Sequence, residues 1–279
     1  MRLAYHLPRA DLRDYVRVYY LFESDGPVAQ PMSAELGNVR CLIAGTGRFV
    51  MRNGAVAPFS PITLVGPTMG AYRMEAGAGL RAFGVGVLPR GWRALLGVSA
   101  AELADMVIDF SAVAGPSALA AAEEIRNASG LPEMAAAADR YFAYMLDRFG
   151  ARLSRPYPDA FESWLTDGDD LDIDALAGMM DVSRRQIDRI AKQYFGASPK
   201  VLQRKYRALR AADRILFGGA RTWLDAAGPS FYDQSHFIKE FKAFVGATPK
   251  AFADRHAELA STILAKRRVQ VPSVRAAAL

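Results

Sequence analysis

The stretch Ser183–Lys200 returns fifty positions further on, and that recurrence constrains the chain more than any other feature of it. SRRQIDRIAKQYFGASPK (Ser183–Lys200) aligns with DQSHFIKEFKAFVGATPK (Asp233–Lys250), so that Lys192, Gly196, Ala197, Pro199 and Lys200 meet Lys242, Gly246, Ala247, Pro249 and Lys250. Apolar positions correspond too, Ile187 with Phe237 and Tyr194 with Phe244. Each copy opens on a helix N-cap residue (Ser183, Asp233), runs on as a basic amphipathic helix, and stops at a glycine followed by Ser/Thr-Pro. Two copies of one short basic helix predict two probes offered to a repeating polymer, for which DNA is the natural candidate.

Charge distribution points the same way. The chain has 279 residues and a formal net charge of +6, enough length for two domains with separate cores. Residues 1–155 hold 16 Arg, no Lys and 14 acids, and all seven Lys lie beyond them. From Asp159 to Asp181 there are eight acids and no Lys or Arg; from Arg184 to Lys250 there are 14 basic residues against five acids. A basic block with aromatics between the charges is the footprint of phosphate contact, although a solvated surface with scattered ion pairs has the same composition.

The first 87 residues have a different texture, with short apolar runs separated by Gly, Pro and Asn. Candidate strands are Val16–Phe22, Val39–Ile43, Arg48–Arg52, Ile62–Val65 and Ala82–Val87, some bounded by turn signals such as Asn53-Gly54. Closely spaced short strands predict a small barrel or sandwich. Trp92–Leu96, Ala100–Val107, Ser117–Ile125 and Pro132–Phe149 read as helices, the last fitting either a dimerisation helix or a core helix of the domain. The expectation is an α+β chain. A β-rich, barrel-like sensing or dimerisation domain with C-terminal helices spans residues 1–152, followed by a proline-bearing linker, Arg152–Pro158. An all-α domain over 159–265 and a flexible tail over 266–279 complete it.

Ile173–Phe195 fits a helix-turn-helix. Asp172 caps a short first helix, Asp181-Val182 forms the turn, and Ser183 caps the second helix. The turn needs a residue that tolerates φ > 0, and Asp is among those that do. Ile187, Ile190 and Tyr194 mark the buried stripe of the second helix, which leaves Arg184, Arg185, Asp188, Arg189 and Lys192 outward. Residues near the N-terminal end of such a helix face base edges, where Arg suits guanine, and later basic residues meet phosphate.

The pattern Ser183-x-Arg185-x-Ile187-x-Arg189, Gly196-x-Ser198-Pro199-Lys200, then Arg207 and Ala211 resembles the first half of an AraC/XylS-type DNA-binding domain. Phe231-Tyr232-Asp233-Gln234-Ser235-His236-Phe237, Phe241-Lys242 and Gly246-x-Thr248-Pro249 resemble that family's second helix-turn-helix. The likeness covers about 100 residues, two ordered motifs joined by one long helix, Pro199–Leu216. It implies a transcription factor whose two recognition helices enter adjacent major grooves of double-stranded DNA. Arg185, Asp188 and Arg189 of the first unit and Gln234, Ser235, His236 and Lys239 of the second would face the bases. Arg184, Lys192 and Lys242 would complete the DNA-binding set. The family pattern is departed from in the second unit, where Gly228-Pro229-Ser230 replaces the usual helix end and turn glycine and shortens the supporting helix to Trp223–Ala227. The N-terminal half resembles, more weakly, the β-rich domain of one AraC-type subgroup through Leu12-x-x-Tyr15-Val16-x-x-Tyr19 and Phe83-Gly84-Val85. That implies a regulator whose barrel interior either holds a small-molecule effector or is filled by its own side chains, and it leaves a homodimer open.

No GxSxG, HExxH, P-loop or CxxC motif is present, and three histidines (His6, His236, His256) give little catalytic material. An enzyme, a metal site and a cofactor are not expected. The single cysteine, Cys41, excludes an internal disulfide framework and sits in an apolar segment that predicts a buried, inert thiol. With no apolar N-terminal leader and no membrane span, a cytoplasmic protein is expected. The competing reading is a regulator acting mainly through protein contacts, for instance with RNA polymerase, with weak DNA binding of its own.

Overall fold

A computed structural model describes residues 1–150, 159–167, 172–220, 222–228, 231 and 233–259. Arg152–Pro158 and the tail Lys266–Leu279 lie outside them.

The N-terminal region is two facing antiparallel sheets. Six strands are ordered β1 (Arg2–His6), β2 (Val16–Ser24), β9 (Leu80–Val87), β4 (Asn38–Ala44), β7 (Ile62–Val65), β10 (Val107–Asp109). Four are ordered β3 (Val28–Met32), β8 (Tyr72–Ala76), β5 (Gly47–Val50), β6 (Val56–Pro58). The sheets do not close, so the barrel-like expectation becomes an open two-sheet stack: each sheet ends on unpaired edge strands, β1 and β10 in one and β3 and β6 in the other. Alternation along the strands sorts side chains between two cores. On β4, Val39 and Cys41 join the helix-side core, while Asn38, Arg40 and Leu42 face a cavity between the sheets. On β2, Tyr19 goes to the helices and Val18, Tyr20 and Phe22 to the cavity.

Helices α1 (Pro89–Ala94), α2 (Ser111–Ala114), α3 (Ser117–Asn127) and α4 (Leu131–Phe149) follow. On α4, Met134, Ala138, Tyr141, Phe142 and Met145 are buried in the helix-side core, so α4 is a core helix of this region. Cys41 is buried, its thiol donating to the Ala122 carbonyl at 3.5 Å, and burial pushes its pKa up to about 11. The buried reading of this thiol holds.

Ala100–Val107 is not a helix. After one 3-10 turn (Ala100–Glu102), Asp105 adopts φ +56°, and Val107–Asp109 pairs with β7 as a sixth strand. Its apolar spacing suits a helix, but pairing with the open edge of β7 decides the conformation. Strands β1, β3, β6, β8 and β10 were not expected from the sequence; β6 and β10 have three residues each, and β3 carries Pro31 in its interior.

The C-terminal region is helical: α5 (Asp159–Asp167), α6 (Ile173–Met179), α7 (Arg184–Phe195), α8 (Pro199–Phe217), α9 (Trp223–Ala227), α10 (Gln234–Val245) and α11 (Pro249–Leu259). Two small cores lie along α8. One gathers Phe161, Leu176, Ile187, Phe195 and Leu202; the other gathers Leu209, Ala227, Phe237, Phe241 and Phe252. Full burial of each of the Phe, Leu and Ile side chains among these is worth about 1.5–3 kcal/mol.

Candidate nucleic-acid interface

Local sequence fixes both probe helices. Ser183 and Gln186 form a capping box at the start of α7, in which the Ser183 hydroxyl accepts from Gln186 N–H and the Gln186 side chain accepts from Ser183 N–H at 2.8 Å. Asp233 caps α10 by accepting from His236 N–H at 2.9 Å. Both helices end on a glycine in the left-handed region, Gly196 at φ +89° and Gly246 at φ +86°. Asp172 caps α6, and Asp181 takes φ +50° in the turn between α6 and α7, the conformation asked of it by the motif.

The two C-terminal glycines stand against the N-terminal region. A side-chain carbon on Gly196 would come within 2.8 Å of Pro67, and one on Gly246 within 2.7 Å of Pro31. The N-terminal residues Ser183, Arg184, Arg185 and Asp233, Gln234, Ser235 are exposed. Each probe is therefore anchored at its C-terminal end.

The basic residues divide into two sets. Arg184 is held by Asp174 of α6, a contact that raises the Arg184 pKa and lowers that of Asp174. Lys192 pairs with Asp188 at 2.7 Å, one turn back on α7. Arg204 and Arg207 of α8 each contact the buried carboxylate of Glu240 at 2.5 Å. Burial pushes the Glu240 carboxyl up, but the hydrogen bonds from Arg204 and Arg207 outweigh it and hold its pKa below the ordinary value. Arg210 donates to the Leu165 carbonyl at 2.5 Å, and Arg214 donates to Ala226 and Ala227 carbonyls at 2.8 and 3.0 Å, satisfying the C-terminal end of α9. Lys205, at 1% exposure, is wholly internal. This set serves the fold.

The other set is exposed and has no ion pair among the described residues: Arg185 and Arg189 on α7, Lys239 and Lys242 on α10, Lys200 and Lys250 at the starts of α8 and α11, and Arg255 further along α11. Of the first unit's expected contacts, Arg185 and Arg189 stand free, whereas Arg184, Asp188 and Lys192 already have partners. In the second unit Gln234, Ser235, Lys239 and Lys242 are exposed. His236 lies with its Nε2 3.6 Å from Glu240 and its ring against Phe231 at 5.8 Å, so it packs as well as being exposed. The short helix α9 matches the expected Trp223–Ala227 and ends at Gly228, φ +63°; Pro229 and Ser230 lie outside the described residues.

Two features were not legible in the sequence. Arg93 and Ser99 of the N-terminal region form the opposite wall of a cleft bordered by Arg185, Asp188, Arg189 and Lys192. Lys205 donates to the carbonyls of Glu35 at 2.7 Å and Thr68 at 2.9 Å, tying α8 to the N-terminal region. Main-chain bonds Ala34 N–H to Phe244 O (2.7 Å) and Ala71 N–H to Ala243 O (2.8 Å) make the same joint at α10.

Two capped helices, each preceded by a shorter helix and linked through one long helix, make a double helix-turn-helix module, a class of DNA-binding domain. Residues 176–255 match the family model described as "Helix-turn-helix domain", and this module is of the AraC/XylS type. Residues 4–109 match "Domain of unknown function (DUF6597)". No curated protein matches the chain. Among solved structures, ToxT from Vibrio cholerae has a TM-score of 0.50 at 10% identity, covering 85% of this chain and 97% of that one. Unsaturated fatty acid bound wild-type ToxT from the same organism has a TM-score of 0.52 at 8% identity, covering 89% and 96%. At these identities the likeness is one of fold: a β-rich domain followed by a helical one. Among the described residues no helix is long and apolar enough to cross a membrane, and no cluster of metal-ligating side chains occurs.

Proposed function

We propose that the chain is a sequence-specific, DNA-binding transcriptional regulator that places α7 and α10 in adjacent major grooves on one face of the duplex. The N-terminal domain, on this reading, binds a small effector that modulates the contact. The observation that carries the DNA reading is the division of the basic residues. Once the arginines that bind Glu240, Leu165 and the end of α9 are set aside, six of the exposed cations left without an ion pair among the described residues of the helical region, all but Arg255 of α11, sit on the two probe helices or at the first turn of the helix that follows each. Arg185 and Arg189, one turn apart near the start of α7, are the base-reading pair, and Lys200, Lys239, Lys242 and Lys250 are the phosphate set. Asp188, tied to Lys192, orients that lysine. ToxT, a protein of similar fold, has been solved with an unsaturated fatty acid bound, which supports a small-molecule effector here.

Duplex binding measured against salt tests the reading. With about six phosphates neutralised, affinity should fall roughly a thousandfold between about 50 and 200 mM salt. A fall of less than about tenfold would instead support the reading in which protein contacts dominate. Selection from a random DNA pool then gives the site length, and with it the number of grooves contacted per chain.

A further inference from the structure

Between the two sheets lies a cavity of about 240 Å³ with mostly apolar walls. Its polar end is one cluster. Arg40 Nη2 donates to Glu35 Oε1 at 2.9 Å and to the Tyr72 hydroxyl at 3.0 Å, Arg40 Nε donates to the Tyr20 hydroxyl at 2.9 Å, and Asn38 donates to the second Glu35 oxygen. Burial opposes the Arg40 charge, but Glu35 outweighs it and the guanidinium pKa is raised well above its ordinary value. The pair is therefore neutral as a unit. One donor is left over: Arg40 Nη1, on a residue only 8% exposed, has no hydrogen-bond partner among the described residues.

An unpaired buried donor is costly to the fold, and a ligand acceptor placed against it would recover that cost. A carboxylate placed there would bring an uncompensated negative charge beside Glu35, a further desolvation cost. We infer that the cavity binds a small, uncharged, largely apolar molecule carrying one hydroxyl or carbonyl oxygen, which accepts from Arg40 Nη1. The cavity lies below the roughly 300 Å³ at which small-molecule pockets commonly begin, so the ligand is small. This inference deepens the effector reading and rests on it.

Glu35 also gives the ligand a route to the DNA-binding module. Its side chain belongs to the cavity cluster, while its carbonyl accepts from Lys205 Nζ on α8 and its N–H donates to Thr68 at 2.8 Å. A ligand that engages Arg40 redistributes the bonds around Glu35, and Lys205 carries the change to the helix that joins the two probes.

The test uses the full chain with 1-octanol and 2-naphthol against octanoate and 2-naphthoate, by calorimetry at pH 7. Both alcohols should bind at least tenfold tighter than the matching carboxylates, and Leu42→Trp, which fills the cavity, should abolish their binding. Glu35→Gln should invert the preference by freeing the Arg40 charge; if that variant does not fold, the ranking on the unaltered chain decides. The inference is overturned if the carboxylates bind as tightly as the alcohols, if Leu42→Trp leaves alcohol binding intact, or if neither alcohol binds up to its solubility limit. DNA affinity is read separately by fluorescence anisotropy. Alcohol binding without any effect on DNA affinity overturns the Glu35–Lys205 route, and failure to bind DNA at all sinks the regulator reading while leaving the ligand assignment standing.

Discussion

Lys205→Met isolates the joint between the two regions. The lysine is buried and donates to two carbonyls, Glu35 O and Thr68 O. Two hydrogen bonds from a charged group are worth about 3–6 kcal/mol together. Against this, burial lowers the Lys205 pKa from 10.5 to about 8, although Glu35 and Asp105 hold it up. At about 1.4 kcal/mol per tenfold, keeping the ammonium rather than the amine costs about 3 kcal/mol. Methionine fills similar volume and removes the ammonium cost, but it leaves the Thr68 carbonyl without this donor, while Glu35 O keeps Thr68 N–H at 3.1 Å. The expected net loss is about 1–3 kcal/mol in urea unfolding, with faster amide exchange confined to residues 34–37, 67–71 and 200–209. The pH dependence has a definite sign. Between pH 8 and 10.5 the unfolded chain holds the lysine proton and the folded chain has released it, so stability should rise with pH across that window by up to about 3 kcal/mol. The neutral amine still offers two N–H donors, so the joint survives. The variant should lack this rise. An unchanged pH profile in Lys205→Met, or a loss below about 0.5 kcal/mol without local change in exchange, would refute the account of the joint.

The division of the basic residues is checked by comparing two substitutions. Arg189→Ala should weaken specific DNA binding by about 1–3 kcal/mol and relax preference at one base pair, whereas Arg184→Ala, already engaged by Asp174, should change affinity much less; equal effects in a binding assay would contradict the division. Glu240→Gln should destabilise the α8–α10 contact by about 1–2 kcal/mol in thermal unfolding, a range discounted because Arg204 is 47% exposed. Since the Glu240 pKa is lowered, its contribution is complete above about pH 4.5 and is lost as pH falls through the depressed value; a variant that still tracks this acid limb would show that another carboxylate causes it.

Legibility in the sequence followed the range of the interactions involved. Arg184–Phe195 and Gln234–Val245 are the helices expected, to the residue, because their caps and stop signals are contained within each segment. Ala100–Val107 misled because its apolar spacing suits a helix, while its last residue pairs with Val65, more than forty positions away. Basic composition misled in part: in composition Arg207 and Arg214 are indistinguishable from Arg189, yet one binds Glu240 and the other the end of α9.

What the sequence determined by itself is the pair of probe helices, their ends and their turn, since capping, φ > 0 tolerance and amphipathic period act over a few residues. Only the tertiary structure decided which cations remain for a polyanion, that Lys205 ties α8 to Glu35, and that Arg40 keeps one unpaired donor in a neutral buried cluster. Each of these depends on partners brought together across long stretches of chain, and a side chain's electrostatic role is set by its neighbours and its distance from water.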